Sequence, residues 1–275
     1  FTQSVELLDE WYKKYHKKEN LINFELGFHA EYTTKKEILE GIADLAEKYK
    51  APVYTHNSES ESEVAQCIER TKVTPTVYMD RLGIFNYGGG FYHCVHMTQN
   101  DLDIVKEHNI SVITNPASNL KLASGIAPID HMLKEGINLA IGTDGPASNN
   151  CLDMFREMFL VTALAKYREN DASAVDALEV LKMATIGGAK AMNLTDCDVL
   201  AEGKEADIIM IDLNQPNMQP IHNIQKNLVY SGSKQNVKLT MVAGKILYEN
   251  GEFFIGTDAY KIYEKANDIA ERIVK

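Results

Sequence analysis

At 275 residues, 45% hydrophobic and 24% charged, the chain is long enough for one large domain, or one domain with a smaller appendage. A net charge of −11 argues against nucleic acid as a partner, because phosphate binding needs basic patches. No apolar run approaches the roughly 18 residues that span a bilayer, so no membrane is expected as a partner either.

Phe1-Thr2-Gln3-Ser4-Val5 has neither the basic start nor the apolar core of a signal peptide. The scattered Cys67, Cys94, Cys151 and Cys197 form no CxxC pair and read as reduced thiols of a cytoplasmic protein. Residues 5–19 read as an amphipathic helix. A strand follows in Leu21–His29, and Thr33 or Thr34 is placed to cap a helix carrying Ile38, Leu39, Ile42, Leu45, Ala46 and Tyr49 at helical spacing. Pro52–His56 is a second strand and 58–71 a helix; 74–90 is ambiguous up to the Gly88-Gly89-Gly90 loop. Phe91–His96 reads as a third strand, Asn100–Asn109 as a helix, Ile110–Thr114 as a fourth strand, Ala117–Gly125 as a loop and 128–135 as a helix ending at Gly136.

Leu139-Ala140-Ile141, a short apolar run typical of a buried parallel strand, ends in Thr143-Asp144-Gly145-Pro146, where the chain must turn. Five strand–helix units in succession predict a parallel α/β sheet. Helices are expected from Cys151 to about Arg168 and from Ala172 to Thr185, the latter broken by Gly187-Gly188. From Ala206 onwards strand patterns predominate, with a turn at Asn250-Gly251, and 258–274 closes the chain as a helix.

Four polar residues stand at the carboxyl ends of predicted strands: His29, His56, His93 and Asp144. In a parallel sheet or barrel these ends share one face, and three imidazoles with a carboxylate suit zinc or iron. Alone, each histidine reads as readily as a hydrogen-bonded structural residue, and Asp144 as a turn or helix cap. Four such coincidences favour a site. Glu59, three residues beyond His56, is placed to shuttle protons at the same rim, or else is a solvated acid in a first helical turn. Ser118 and Asn119 either orient substrate or form a polar turn, and His96 is a supporting partner or a packing residue. GxGxxG, GxxxxGK[ST] and GxSxG are absent, which removes motif support for nucleotide-phosphate and serine-nucleophile chemistry.

His56-Asn-Ser-Glu59, His93-Cys-Val-His96, Asn115-Pro-Ala-Ser-Asn-Leu-Lys-Leu-Ala-Ser-Gly125 and Gly142-Thr-Asp-Gly-Pro-Ala-Ser-Asn-Asn150 resemble the amidohydrolase superfamily. The branch they resemble is that of the 5-methylthioadenosine/S-adenosylhomocysteine deaminases, with guanine deaminase and triazine chlorohydrolases nearby. The resemblance implies a (β/α) barrel of the TIM type carrying one Zn²⁺ or Fe²⁺ and flanked by a β-sandwich. It implies that His56 and Asp144 are metal ligands, that Glu59 shuttles protons to the purine ring and that His93 holds the water or the adduct. The resemblance makes His29 a substrate contact; with Glu59 and the rim residue Asn119 it completes the expected substrate-binding set.

The implied reaction is hydrolytic deamination of an adenosine-type nucleoside: the metal lowers the pKa of a bound water to about 7, Asp144 accepts its proton, hydroxide attacks C6, Glu59 protonates the ring and ammonia leaves. Guanine or a triazine is the alternative substrate. The His-x-His pair of the family's first strand is absent, as are about three of the eight strands that a closed barrel needs. The expectation is therefore a partial barrel over residues 1–195, a β appendage over 196–257 and a helix over 258–275, lacking the family's N-terminal part. A catalytically inactive fragment is the competing expectation. Open sheet edges point to a homo-oligomer or to pairing with a further segment.

Overall fold

The structure, a computed structural model, describes residues 2–18 and 21–274. Its contacts divide the chain into two units, 1–194 and 195–275.

The first unit opens with helix α1 (Thr2–Tyr15) and then alternates strand and helix: β1 (Leu26–Ala30), α2 (Lys36–Tyr49), β2 (Val53–Asn57), α3 (Glu61–Thr71), α4 (Pro75–Arg81), β3 (Gly89–His93), α5 (Gln99–Glu107), β4 (Ile110–Thr114), α6 (Pro116–Lys121), α7 (Ile129–Lys134) and β5 (Leu139–Ile141). Then follow α8 (Pro146–Asn149), α9 (Met154–Glu169), α10 (Ala177–Lys182), a π-helical turn (Met183–Gly187) and α11 (Gly188–Ala191). The five strands form one parallel sheet in the order β1-β2-β3-β4-β5, the arrangement of a partial (β/α) barrel. In-register pairs such as His56 with Tyr92 and Asn57 with His93 bring the strand ends level.

The helices bury the faces that their apolar spacing predicts: Leu39, Ile42, Leu45 and Ala46 of α2 are all buried. At about 1.5–3 kcal/mol for each fully buried Leu or Ile, that face is sufficient to hold α2 against the sheet. Gly89 admits no side chain, since a Cβ there would lie 1.9 Å from the Val53 carbonyl oxygen and its φ is +145°.

Several local expectations are corrected. The first helix ends at Tyr15, and residue 19 lies outside the described residues. Thr33 and Thr34 do not cap α2; their hydroxyls donate to the Ala30 carbonyl at 3.0 and 2.9 Å, closing a 3₁₀ turn at Glu31–Thr33. The ambiguous stretch holds α4, capped by Thr74 with Pro75 in its first turn. The expected loop at 117–125 begins as helix α6, again with a proline at its start. Asp153 caps α9, so that helix starts at Met154, and Asp176 caps α10 at Ala177.

The second unit contains an antiparallel sheet, β6 (Ile208–Ile211), β7 (Val237–Val242), β8 (Lys245–Glu249) and β9 (Glu252–Phe253), in that order. A helix absent from the sequence expectation, α12 (Ile224–Tyr230), lies between β6 and β7, and α13 (Ala259–Val274) closes the chain. Among the described residues no helix is long and apolar enough to cross a membrane.

Candidate metal and active site

The carboxyl ends of β1, β2, β3 and β5 bring the four sequence-predicted residues together. Ring centroids of His29 and His56 are 4.9 Å apart, and those of His56 and His93 5.3 Å. One ligand atom each from His56, His93 and Asp144 lie within 4.8 Å of one another. His93 is buried, His56 and Asp144 are half-buried, and His29 is exposed at the rim. His93 and Asp144 both adopt left-handed backbone, with φ of +72° and +59°. Such strain costs on the order of 1–3 kcal/mol per residue and persists where surrounding contacts over-determine it.

Hydrogen bonds fix which ring nitrogen each histidine offers. His56 Nδ1 lies 2.6 Å from the His29 carbonyl oxygen, which can only accept. Nδ1 therefore carries the proton, and the Nε2 lone pair is free for a metal, as is usual for ligating imidazoles. His93 Nδ1 donates to Asn119 Oδ1 at 2.7 Å, leaving its Nε2 free as well. At His29, Nδ1 lies 2.9 Å from a Thr33 hydroxyl whose own proton goes to Ala30; His29 Nδ1 is therefore the donor and its Nε2 an acceptor.

Asp144 Oδ2 accepts from the hydroxyls of Ser118 and Ser148, both at 2.6 Å. Burial raises its carboxyl, but these two donors, the Gly145 N–H and the nearby His93 ring outweigh it and hold the group below the usual range. Two unprotonated imidazole nitrogens and an ionised carboxylate are a donor set that fits a divalent metal. Cys94, next to His93, is not among the groups that converge there, and burial pushes its thiol well above the ordinary value.

Glu59 stands beside this cluster, its Oε2 3.8 Å from His93 Nε2 and its Oε1 accepting from the Ser124 hydroxyl at 3.0 Å. The short loop that presents it is gripped by Glu63, whose carboxylate accepts from the backbone N–H of Ser58 (2.9 Å), Glu59 (2.8 Å) and Ser60 (3.4 Å). His96, weighed between two roles, donates to the Ser124 carbonyl at 2.7 Å and so holds the residue that contacts Glu59. Ser118 and Asn119, expected at the substrate or in a polar turn, are both buried on α6 and bond to Asp144 and His93.

Four supporting residues escaped the sequence reading. Ser148 and Glu63 are two. Glu31, buried after β1, forms a bidentate pair with Arg70 of α3 at 2.7 and 2.9 Å, tying the turn behind His29 to the helix behind Glu59. Glu157, fully buried on α9, accepts from the Ala117 N–H and the Asn149 amide. The capping box of Ser60 and Glu63 was the one signal visible beforehand.

Residues 2–247 match the model of the Amidohydrolase family. A 5-methylthioadenosine/S-adenosylhomocysteine deaminase from Caldanaerobacter subterraneus subsp. tengcongensis is 40% identical over 260 residues, 94% of this chain and 60% of that protein. A 5'-deoxyadenosine deaminase from Methanopyrus kandleri is 36% identical over 262 residues, 95% of this chain and 61% of that protein. The crystal structure of a zinc-bound adenosine deaminase from Xanthomonas campestris superposes with a TM-score of 0.90 at 35% identity, covering 99% of this chain and 61% of that one. The chain thus spans about 60% of the length of these relatives. By its matched span and its level of identity, the chain belongs to the amidohydrolase family.

Proposed function

We propose that this chain carries the metal centre and proton-handling groups of a hydrolytic deaminase acting on an adenosine-type nucleoside. The observation that carries the reading is the convergence of His56, His93 and Asp144 with the Glu59 carboxylate 3.8 Å from His93. His56 and Asp144 would hold a zinc ion, with His93 close enough to join them. When bound, zinc supplies a Lewis acid that makes water a nucleophile near neutral pH.

The chain's own groups then divide the proton work. Asp144, kept ionised by its two serine donors, accepts the proton of the attacking water. Glu59, as the protonated acid, delivers its proton to the purine ring nitrogen as C6 becomes tetrahedral. Asp144 passes the water's proton to the departing amine, and the C6 hydroxyl proton returns to Glu59 as ammonia leaves. His93, its Nδ1 proton fixed on Asn119, would offer its unprotonated Nε2 as an acceptor to the hydroxyl of the attacking water or of the adduct at C6. His29 offers an acceptor at the rim for a sugar hydroxyl. Asn119 acts on substrate through His93. The adenosine-type compounds in the relatives' names support this choice over guanine or a triazine.

The test is ammonia release by the zinc-loaded chain from 5'-methylthioadenosine, S-adenosylhomocysteine, adenosine and guanine, with E59Q as the control. Release from the adenosine-type compounds, lost in E59Q while zinc stays bound, is the expected result. Zinc binding without release from any of the four overturns the reading. A catalytically silent chain, as the absence of a His-x-His pair suggests, predicts neither zinc nor ammonia.

A further inference from the structure

We propose that Glu157 is a positioning residue that sets the spacing between the Asp144 carboxylate and the His93 ring. The inference rests on the metal-site reading above. Glu157 touches neither group, yet its carboxylate is joined to both by short, fully traceable paths. One oxygen accepts the Ala117 N–H at 3.0 Å. Ala117 is followed on α6 by Ser118, which donates to Asp144, and by Asn119, which accepts from His93.

The other oxygen accepts from Asn149 Nδ2 at 2.8 Å. That same amide donates to the Thr143 carbonyl at 2.6 Å, one residue before Asp144, while Asn149 Oδ1 accepts from the Cys151 N–H at 3.2 Å. The amide orientation is thereby fixed, with both of its hydrogens in use. One carboxylate therefore grips α6, which supplies partners for the side chains of both His93 and Asp144, and the turn that carries Asp144 itself.

Packing alone does not call for an acid here. Met158 and Val161 on the same helix fill the core with apolar side chains, and a fully buried carboxylate is costly. Burial indeed raises the Glu157 carboxyl above its usual range, against the pull of its two donors. His93 and Asp144, at the ends of the paths, are among the residues held in left-handed backbone, a conformation that surrounding contacts must maintain.

The test compares E157Q with V161A, a buried truncation on the same helix without these bonds. E157Q keeps the size but turns one acceptor into a donor facing the Ala117 N–H or the Asn149 amide. Zinc affinity, read by chelator competition, should fall in E157Q by up to about 10-fold, the lower end of the loss found when a direct partner of a metal ligand is removed, and stay at the parent value in V161A. The visible absorption of the cobalt-substituted chain should change in E157Q alone.

Parent-like zinc affinity and cobalt spectrum in folded E157Q overturn the proposal, as does an equal loss in V161A. If E157Q is not recovered folded, N149S, which removes the bonds to Glu157, Thr143 and the Cys151 N–H but leaves the Ala117 branch intact, should also lower zinc affinity; unchanged affinity there overturns the proposal equally. If the parent chain takes up no zinc, it is the metal-site reading that fails, and this inference falls with it.

Discussion

Arg70→Ala removes the partner of a buried acid while leaving the site residues themselves untouched. Glu31 is 1% exposed and receives both of its strong hydrogen bonds from Arg70, whose own side chain is 50% exposed. Removing one partner of a fully buried pair costs about 3–5 kcal/mol, because a charge is left without compensation. Half-exposure of the arginine lets water screen the pair and partly solvate the vacated side, which lowers the expected loss to about 2–3 kcal/mol. For a chain of this size each kcal/mol moves Tm by about 2–4 °C, so R70A should melt about 4–12 °C lower.

The double variant E31M/R70M replaces the pair by apolar side chains and should recover much of that loss, since no charge stays buried. Thermal unfolding followed by circular dichroism reads both effects. Glu31 also closes the turn behind His29, so R70A should weaken substrate binding while leaving zinc affinity unchanged. The reasoning is refuted if R70A melts with the parent, or if the double variant is no more stable than R70A.

Two further substitutions separate rim from centre. In Gly142→Ala the new Cβ would lie 2.3 Å from Asn115 Oδ1 and 3.1 Å from Ile113 Cγ2, pushing on the residue that starts α6. It should destabilise by about 1–3 kcal/mol through overpacking and weaken zinc binding; a parent-like Tm contradicts that. His29→Ala should raise KM by about 2- to 10-fold, the worth of one neutral hydrogen bond, with zinc content unchanged; a loss of zinc would instead make His29 part of the metal centre.

The sheet was legible because a buried parallel strand is a short apolar run, and Ile110–Thr114 and Leu139–Ile141 begin and end where that pattern does. The site was legible for the same reason: residues that close such runs share one rim, so His29, His56, His93 and Asp144 converge from topology alone. The supporting shell was hidden. Glu157 and Glu63 sit in charged helical sequence where an acid ordinarily faces water, and only the fold turns them inward. The Ala117–Gly125 stretch reads as loop because serine and asparagine favour turns, yet Pro116 just before it starts a helix that aims Ser118 and Asn119 at the centre. Thr33 and Thr34 show the reverse: both look like caps, but the Ala30 carbonyl competes for their hydroxyls.

Zinc stoichiometry tests the central claim most directly. Dialysed against zinc and assayed by atomic absorption, the parent chain should hold about one ion, as a single mononuclear site requires, and H56A and D144A should hold none. A chain that binds no zinc, or that binds it equally well without Asp144, contradicts the account.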